Sequence, residues 1–338
     1  MFTDKDPWGE LILGGFFIMA KQKIILDVDT GVDDAMAIAY AVAAPNADLV
    51  GVVNSYGNVL VEQAAKNSLE ILDLLGATDV PVFEGEPHSL ETDSFEVMEV
   101  SAHIHGVNGV GEVELPASSR QVEEQSGVDF IIEAAHKYGK DLTIIPTGPL
   151  TNLALALRKD PSIADLIGNV TLMGGALTVP GNVSDAAEAN INQDATAANE
   201  VFRSPLHDTM VGLDVTLRTL LTKKETQQWR DLGTVAGEKF ADIVDYYIDI
   251  YAEMYPHLGG CSLHDPLAVG VACDPSFVQT LDLDLLVHTG ELNYGRTTGD
   301  TAHLDDPNPT ASVAIQVDEK RYLKTFMEYL NYLFANNK

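Results

Sequence analysis

The chain has 338 residues, 46% hydrophobic and 21% charged, a composition that supports a buried core and excludes disordered or low-complexity sequence. Lys and Arg number 20 against 51 Asp and Glu, a formal net charge of −31 that repels phosphate backbones and anionic lipid and argues against nucleic-acid and membrane partners. The cysteines, Cys261 and Cys273, form neither a disulfide framework nor a zinc knuckle and point to a reducing, cytoplasmic compartment.

Residues 1–18 carry no periodic pattern. The apolar run Leu11 to Ala20 falls short of the ~18–20 residues a membrane span needs and has no A-x-A cleavage site. Gly14-Gly15 shortly before Met19 fits translated ribosome-binding sequence, so Met19 is expected as the start, with 1–18 an extension and 19–338 one domain. From Lys21 onward, short apolar runs alternate with helix-period stretches, the signature of repeated β-α units. Strands are expected at Lys23–Val28, Leu49–Ser55, Pro81–Phe83, Leu142–Pro146, Val170–Met173 and Thr209–Leu213, then around Val278–Val287 and Ser312–Val317. Helices are expected at Asp34–Ala44, Val61–Leu75, Val128–Tyr138, Asn152–Leu157 and Ala195–Phe202, around Lys224–Trp229 and Ala236–Tyr255, from His264 onward, and at Lys320–Phe334. Glu84–Ser119 and Gly174 to about Asn192 read as long irregular stretches, which in a compact domain usually serve function. The fold class is α/β, a single domain with a largely parallel central sheet flanked by helices.

Asp27, Asp29, Asp33 and Asp34 crowd the junction of the first strand and first helix, and no Lys or Arg occurs between Lys23 and Lys66. A helix's first turn favours acids by itself, which accounts for Asp33 or Asp34 taken alone. Uncompensated carboxylates this close bind protons or a cation, and a hard divalent ion suits an all-oxygen set. Ligands bind at this end of strands in open α/β sheets.

The string Asp27-Val28-Asp29-Thr30-Gly31-Val32-Asp33-Asp34 resembles the D-x-D-x-G-x-D-D signature of the nucleoside hydrolases of the inosine-uridine-preferring type. Further elements of the resemblance follow in order: Asn58, His103-Ile104-His105-Gly106, Pro146-Thr147-Gly148, Met173-Gly174-Gly175, Gly181-Asn182, Glu188-Ala189-Asn190 and His264-Asp265-Pro266. It implies a Rossmann-like core, a Ca²⁺ held by Asp29, Asp34, Asp265 and the Thr147 carbonyl, and hydrolysis of ribonucleosides to ribose and free base. It implies Asp29 as general base and His264 as the leaving-group histidine, Asp33, Asn58, Asn182, Glu188 and Asn190 on ribose hydroxyls, Met173 beside the sugar, and His105 lining the base pocket. Assembly as a homodimer or homotetramer is also implied.

Plainer readings accompany these. Asp265 before Pro266 reads as a helix N-cap, Thr147 as part of a turn, and each Asn as loop solvation. His88, His103 and His257 read as ordinary surface residues, and Tyr247, Tyr251 and Tyr255, four apart on one helical face, as core. Ala189 and Thr30 depart from the bulky aromatic and the Pro that many relatives carry, which leaves base preference open with a lean towards broad or pyrimidine specificity. Two alternatives remain at this level: a haloacid-dehalogenase-like phosphatase with Asp27 as nucleophile, and a non-catalytic Ca²⁺-dependent nucleoside-binding protein.

Overall fold

The run Lys-Ile-Ile-Leu-Asp-Val, apolar on both faces, becomes an inner strand of a sheet covered on both sides, as its lack of alternation requires. This computed structural model describes residues 12–13, 16–17 and 21–337, so the expected start at Met19 and the boundary after residue 18 lie outside the described residues. The main sheet is built from β1 (Gln22–Val28), β2 (Ala47–Asn54), β3 (Val82–Glu84), β4 (Leu142–Pro146), β5 (Asn169–Met173), β6 (Asp208–Val211), β7 (Val278–Leu283) and β8 (Ala311–Val317). Its eight strands lie in the order β7-β8-β6-β5-β4-β1-β2-β3, all neighbours parallel except the antiparallel edge pair β7–β8.

Helices α1 (Val32–Ala43), α2 (Val61–Leu74), α3 (Glu99–His105), α4 (Gly127–Tyr138), α5 (Thr151–Lys159), α6 (Ile163–Leu166), α7 (Ala189–Gln193) and α8 (Ala195–Phe202) follow the early strands. Helices α9 (Leu213–Thr216), α10 (Lys223–Asp231), α11 (Val235–Met254), α12 (His264–Cys273) and α13 (Glu319–Asn336) complete the set. Alternation along β1 splits the core: Ile24, Leu26 and Val28 join the layer containing α1, α11, α12 and α13, whereas Ile25 joins α4, α5 and α8 on the opposite face. Among the described residues, no helix is long and apolar enough to cross a membrane.

Most expected elements lie within a few residues of the observed ones, and three differences bear on function. The stretch Glu84–Ser119, expected to be irregular, contains α3, whose last residue is His105. Helix α12 starts at His264 with Leu263 at its N-cap, so Asp265 stands inside the first turn and is not the cap. The strand expected to run to Leu213 stops at Val211, and residues 213–216 turn into α9. From β1 the chain continues outward through β2 and β3, then crosses to β4 on the other side of β1. That reversal opens a crevice beyond the carboxyl ends of β1 and β4, where α/β sheets place ligands.

Candidate active site

The crevice holds a cavity of about 380 Å³, lined by Asp33, Asn58, His105, Thr147, Met173, Asn182, Glu188, Asn190, His264 and Asp265 among others. No Lys or Arg lines it among the described residues. Strand ends and helix starts supply most of these side chains, with Asn58 and Asn182 coming from loops and His105 from the end of α3.

At the floor, Asp33, Asp34 and Asp265 bring carboxylate oxygens within 4.8 Å of one another, and all three are buried. Burial first, and neighbouring Asp33 second, push the Asp34 carboxyl up to about 6, and burial likewise raises Asp33 to about 6. Asp265 is pushed well above the ordinary carboxylate range by burial and by the Asp33, Asp34 and Asp29 carboxylates. Among the described residues, Asp33 Oδ1 is buried without a hydrogen-bond partner. An orphaned oxygen in an all-carboxylate set fits a hard divalent cation, which would replace the missing partner and relieve the repulsion. The helix-start reading of Asp34 also holds, since its Oδ2 accepts from the Gly31 N–H at 2.8 Å while Oδ1 accepts from the Thr147 hydroxyl at 2.7 Å.

Asp29 lies beside this trio, not within it. Its Oδ2 accepts from the Asn58 N–H at 2.7 Å, and Asn58 Nδ2 stands 3.2 Å from both Asp29 Oδ1 and Asp34 Oδ2. Burial, then the Asp34 charge, hold the Asp29 carboxyl well above its ordinary range. Gly57 makes the close packing possible: at φ +154°, a Cβ there would lie 1.9 Å from Asp29 Oδ2. Asp27 sits behind, fully buried and outside the cavity lining, with Oδ1 accepting from Asn152 Nδ2 at 2.8 Å and its carboxyl raised by burial to about 7. A nucleophile walled off in this way contradicts the phosphatase alternative.

The residues expected at the sugar converge on the cavity. Glu188 caps α7, its oxygens accepting from the N–H groups of Gly175, Asn190 and Ile191. Asn190 Nδ2 donates to the Thr147 carbonyl at 2.7 Å and the Met173 carbonyl at 3.2 Å. The exposed Asn182 accepts from the Ala189 N–H through Oδ1. Thr30, the departure from Pro, bonds within the core to Ser68 and Asn54 and so supports the loop from behind.

The other end is aromatic and imidazole-lined. His105 Nδ1 accepts from the Val32 N–H at 3.2 Å, which leaves its proton on Nε2. Burial lowers the His105 imidazole to about 4, and it lowers His264 to about 4, so both rings are neutral near pH 7. His264 lies between hydroxyls, Nε2 at 2.8 Å from Tyr251 Oη and Nδ1 at 2.8 Å from Thr216 Oγ1. Tyr247 and Tyr251 are buried, as a core assignment expects, but their hydroxyls belong to the site. A buried phenol needs a partner for its O–H, and that was the signal available for them. His257, assigned to plain surface, is exposed at the cavity mouth, whereas Thr216 and Gly57 carried no sequence signal.

A sequence profile described as "Inosine-uridine preferring nucleoside hydrolase" matches residues 24–324. The chain belongs to this nucleoside hydrolase family. The hydrolase is 35% identical to the inosine-uridine preferring nucleoside hydrolase of Crithidia fasciculata, over 89% of this chain and 95% of that one. It is 33% identical to probable uridine nucleosidase 2 of Arabidopsis thaliana, over 92% of this chain and 98% of that one. Among solved structures, the purine-preferring ribonucleoside hydrolase from Gardnerella vaginalis superposes with a TM-score of 0.92 at 54% identity, covering 93% of this chain and 99% of that one. The nucleoside hydrolase is therefore a ribonucleoside N-glycosidase with the α/β fold expected of it.

Proposed function

We propose that this hydrolase cleaves ribonucleosides with Asp29 as general base and a Ca²⁺ ion at the floor, held by Asp34, Asp265, the Thr147 carbonyl and Asp29, with Asp33 beside them. The buried cluster of Asp33, Asp34 and Asp265 oxygens within 4.8 Å, with no Lys or Arg among the described residues of the cavity lining to balance it, is the observation that carries the metal reading. Bound there, the ion supplies positive charge that acidifies a water and attracts the sugar hydroxyls. Every other contribution comes from the chain. Asp29, buried and with its carboxyl raised above the ordinary range by that burial, accepts a proton from the attacking water, while Asn58 fixes its two oxygens. Asp33, Asn58 and Asn190 meet ribose hydroxyls, Glu188 and Asn182 meet the 5′-hydroxyl end, and Met173 packs near the sugar. Positive charge building on the ribose in the transition state is stabilised by the surrounding carboxylates.

His105 and His264 stand at the base end. Because the His264 ring is neutral, it does not carry a preformed imidazolium proton; it offers one N–H to the departing base, where negative charge develops. For base preference, kinship at 54% identity with a purine-preferring enzyme outweighs the pyrimidine lean of the sequence. Ala189, small where relatives carry an aromatic, leaves room consistent with a bicyclic base. We assign purine ribonucleosides as preferred substrates.

The test is ribose release from inosine, adenosine, guanosine, uridine and cytidine and from their 2′-deoxy forms, with protein stripped of metal and then supplied with Ca²⁺. Release that needs Ca²⁺, favours purines and nearly disappears with deoxynucleosides supports the assignment. Turnover unaffected by stripping overturns the metal reading, and faster uridine cleavage overturns the base preference. Saturable nucleoside binding without release would establish the binding-protein alternative.

A further inference from the structure

At the base end, four hydrogen bonds link into one chain. Tyr247 Oη donates to Asp33 Oδ2 at 3.3 Å, and Tyr247 Oη lies 3.3 Å from Tyr251 Oη. Tyr251 Oη lies 2.8 Å from His264 Nε2, and His264 Nδ1 lies 2.8 Å from Thr216 Oγ1. Each hydroxyl has one hydrogen to give, and a carboxylate only accepts. Tyr247 therefore gives its hydrogen to Asp33 and accepts from Tyr251. Tyr251, having given its hydrogen to Tyr247, accepts from the ring, so the ring hydrogen resides on Nε2. Nδ1 is left as a bare lone pair, and the Thr216 hydroxyl is the donor that meets it. Thr216 is 0% exposed and ends α9, just beyond strand β6.

We propose that Thr216 is a positioning residue for the reaction: its O–H···Nδ1 hydrogen bond holds His264 as the Nε2–H tautomer, with that N–H resting on Tyr251 Oη at the base end of the cavity. A neutral imidazole has only one N–H, and in the other tautomer it would present a lone pair where the departing base needs a donor. The inference rests on the reading of His264 as the group that meets the leaving base. No covalent step is added; the Nε2–H, given to Tyr251 Oη in this structure, turns from that hydroxyl to the base nitrogen as the C1′–N bond breaks, while Tyr251 keeps its bond to Tyr247.

The experiment compares Thr216→Val, Thr216→Ser and His264→Ala on inosine and on p-nitrophenyl β-D-ribofuranoside, whose leaving group departs as a stable phenolate and needs no donor. For Thr216→Val, kcat on inosine should fall about 10- to 100-fold with KM little changed, the range expected when a catalytic group is slightly misplaced. The loss on the phenyl riboside should be at least about tenfold smaller, and Thr216→Ser, which keeps the hydroxyl, should restore most of the inosine rate. Equal losses on both substrates, or no loss, overturn the role of Thr216 if His264→Ala still harms inosine selectively. If His264→Ala harms both substrates equally, the reading of His264 itself fails and the inference with it. Thr216→Ala, which removes the hydroxyl without adding a methyl in its place, repeats the comparison should the valine variant not fold.

Discussion

Asp29 is a buried carboxylate whose surroundings make it basic, because burial and the Asp34 charge favour its protonated form while the Asn58 N–H and amide hold its oxygens in place. Asp29→Asn keeps the shape and removes the base, so kcat should fall by about 10²–10⁴-fold, read by ribose release, while the melting temperature holds or rises. Asp208, the first residue of β6, carries the opposite lesson. It is 0% exposed, neither carboxylate oxygen has a partner among the described residues, and burial alone pushes its carboxyl well above the ordinary 3.8. An acid raised in the folded state binds protons more tightly when folded than when unfolded. Its contribution is therefore most favourable below about pH 4 and declines as pH rises from there towards the raised value. Thermal melts from about pH 4 to pH 8 should show wild type losing more stability than Asp208→Asn, by about 1–3 kcal/mol at the upper end. Parallel curves would show that Asp208 has a partner when folded.

At the scale of elements, the loop after β2 approaches β1 so closely that only glycine fits at 57. Gly57→Ala should push Asp29 aside and reduce turnover by at least about tenfold with the chain still folded, checked by ribose release alongside circular dichroism. Much of this layer was legible in the sequence. β1 and α1 follow from an unbroken apolar run and a helix-period stretch, and the acids fall at their junction because the chain turns there. Helix α3 was not legible, because a helix of seven residues with two buried positions leaves almost no period inside a long polar stretch. The start of α12 was misread because Asp-Pro is a strong capping pair, yet His264 is already helical and its ring is tied to Thr216 and Tyr251. The spacing of Tyr247 and Tyr251 correctly gave burial, and it could not give the direction of two hydroxyls. Thr216 is one threonine among many, and only the fold brings it to His264.

The whole molecule carries a net charge of −31 and still packs Asp29, Asp33, Asp34 and Asp265 together as buried residues. A cation that binds only the folded chain stabilises it by mass action. Chelation should therefore lower the melting temperature, and Ca²⁺ at 100 to 1,000 times its dissociation constant should return about 2.7–4.1 kcal/mol, measured by calorimetry at fixed pH. Unchanged melting would argue that the carboxylates hold protons instead. The missing Lys and Arg in the cavity lining have a consequence for the cell's nucleotide pool. A 5′-phosphate would have to enter beside the Glu188 carboxylate with no Lys or Arg among the described residues of the lining to receive it, at a cost that grows as water is expelled. The lining is thus a charge filter that disfavours a 5′-phosphate and suits material already stripped of it.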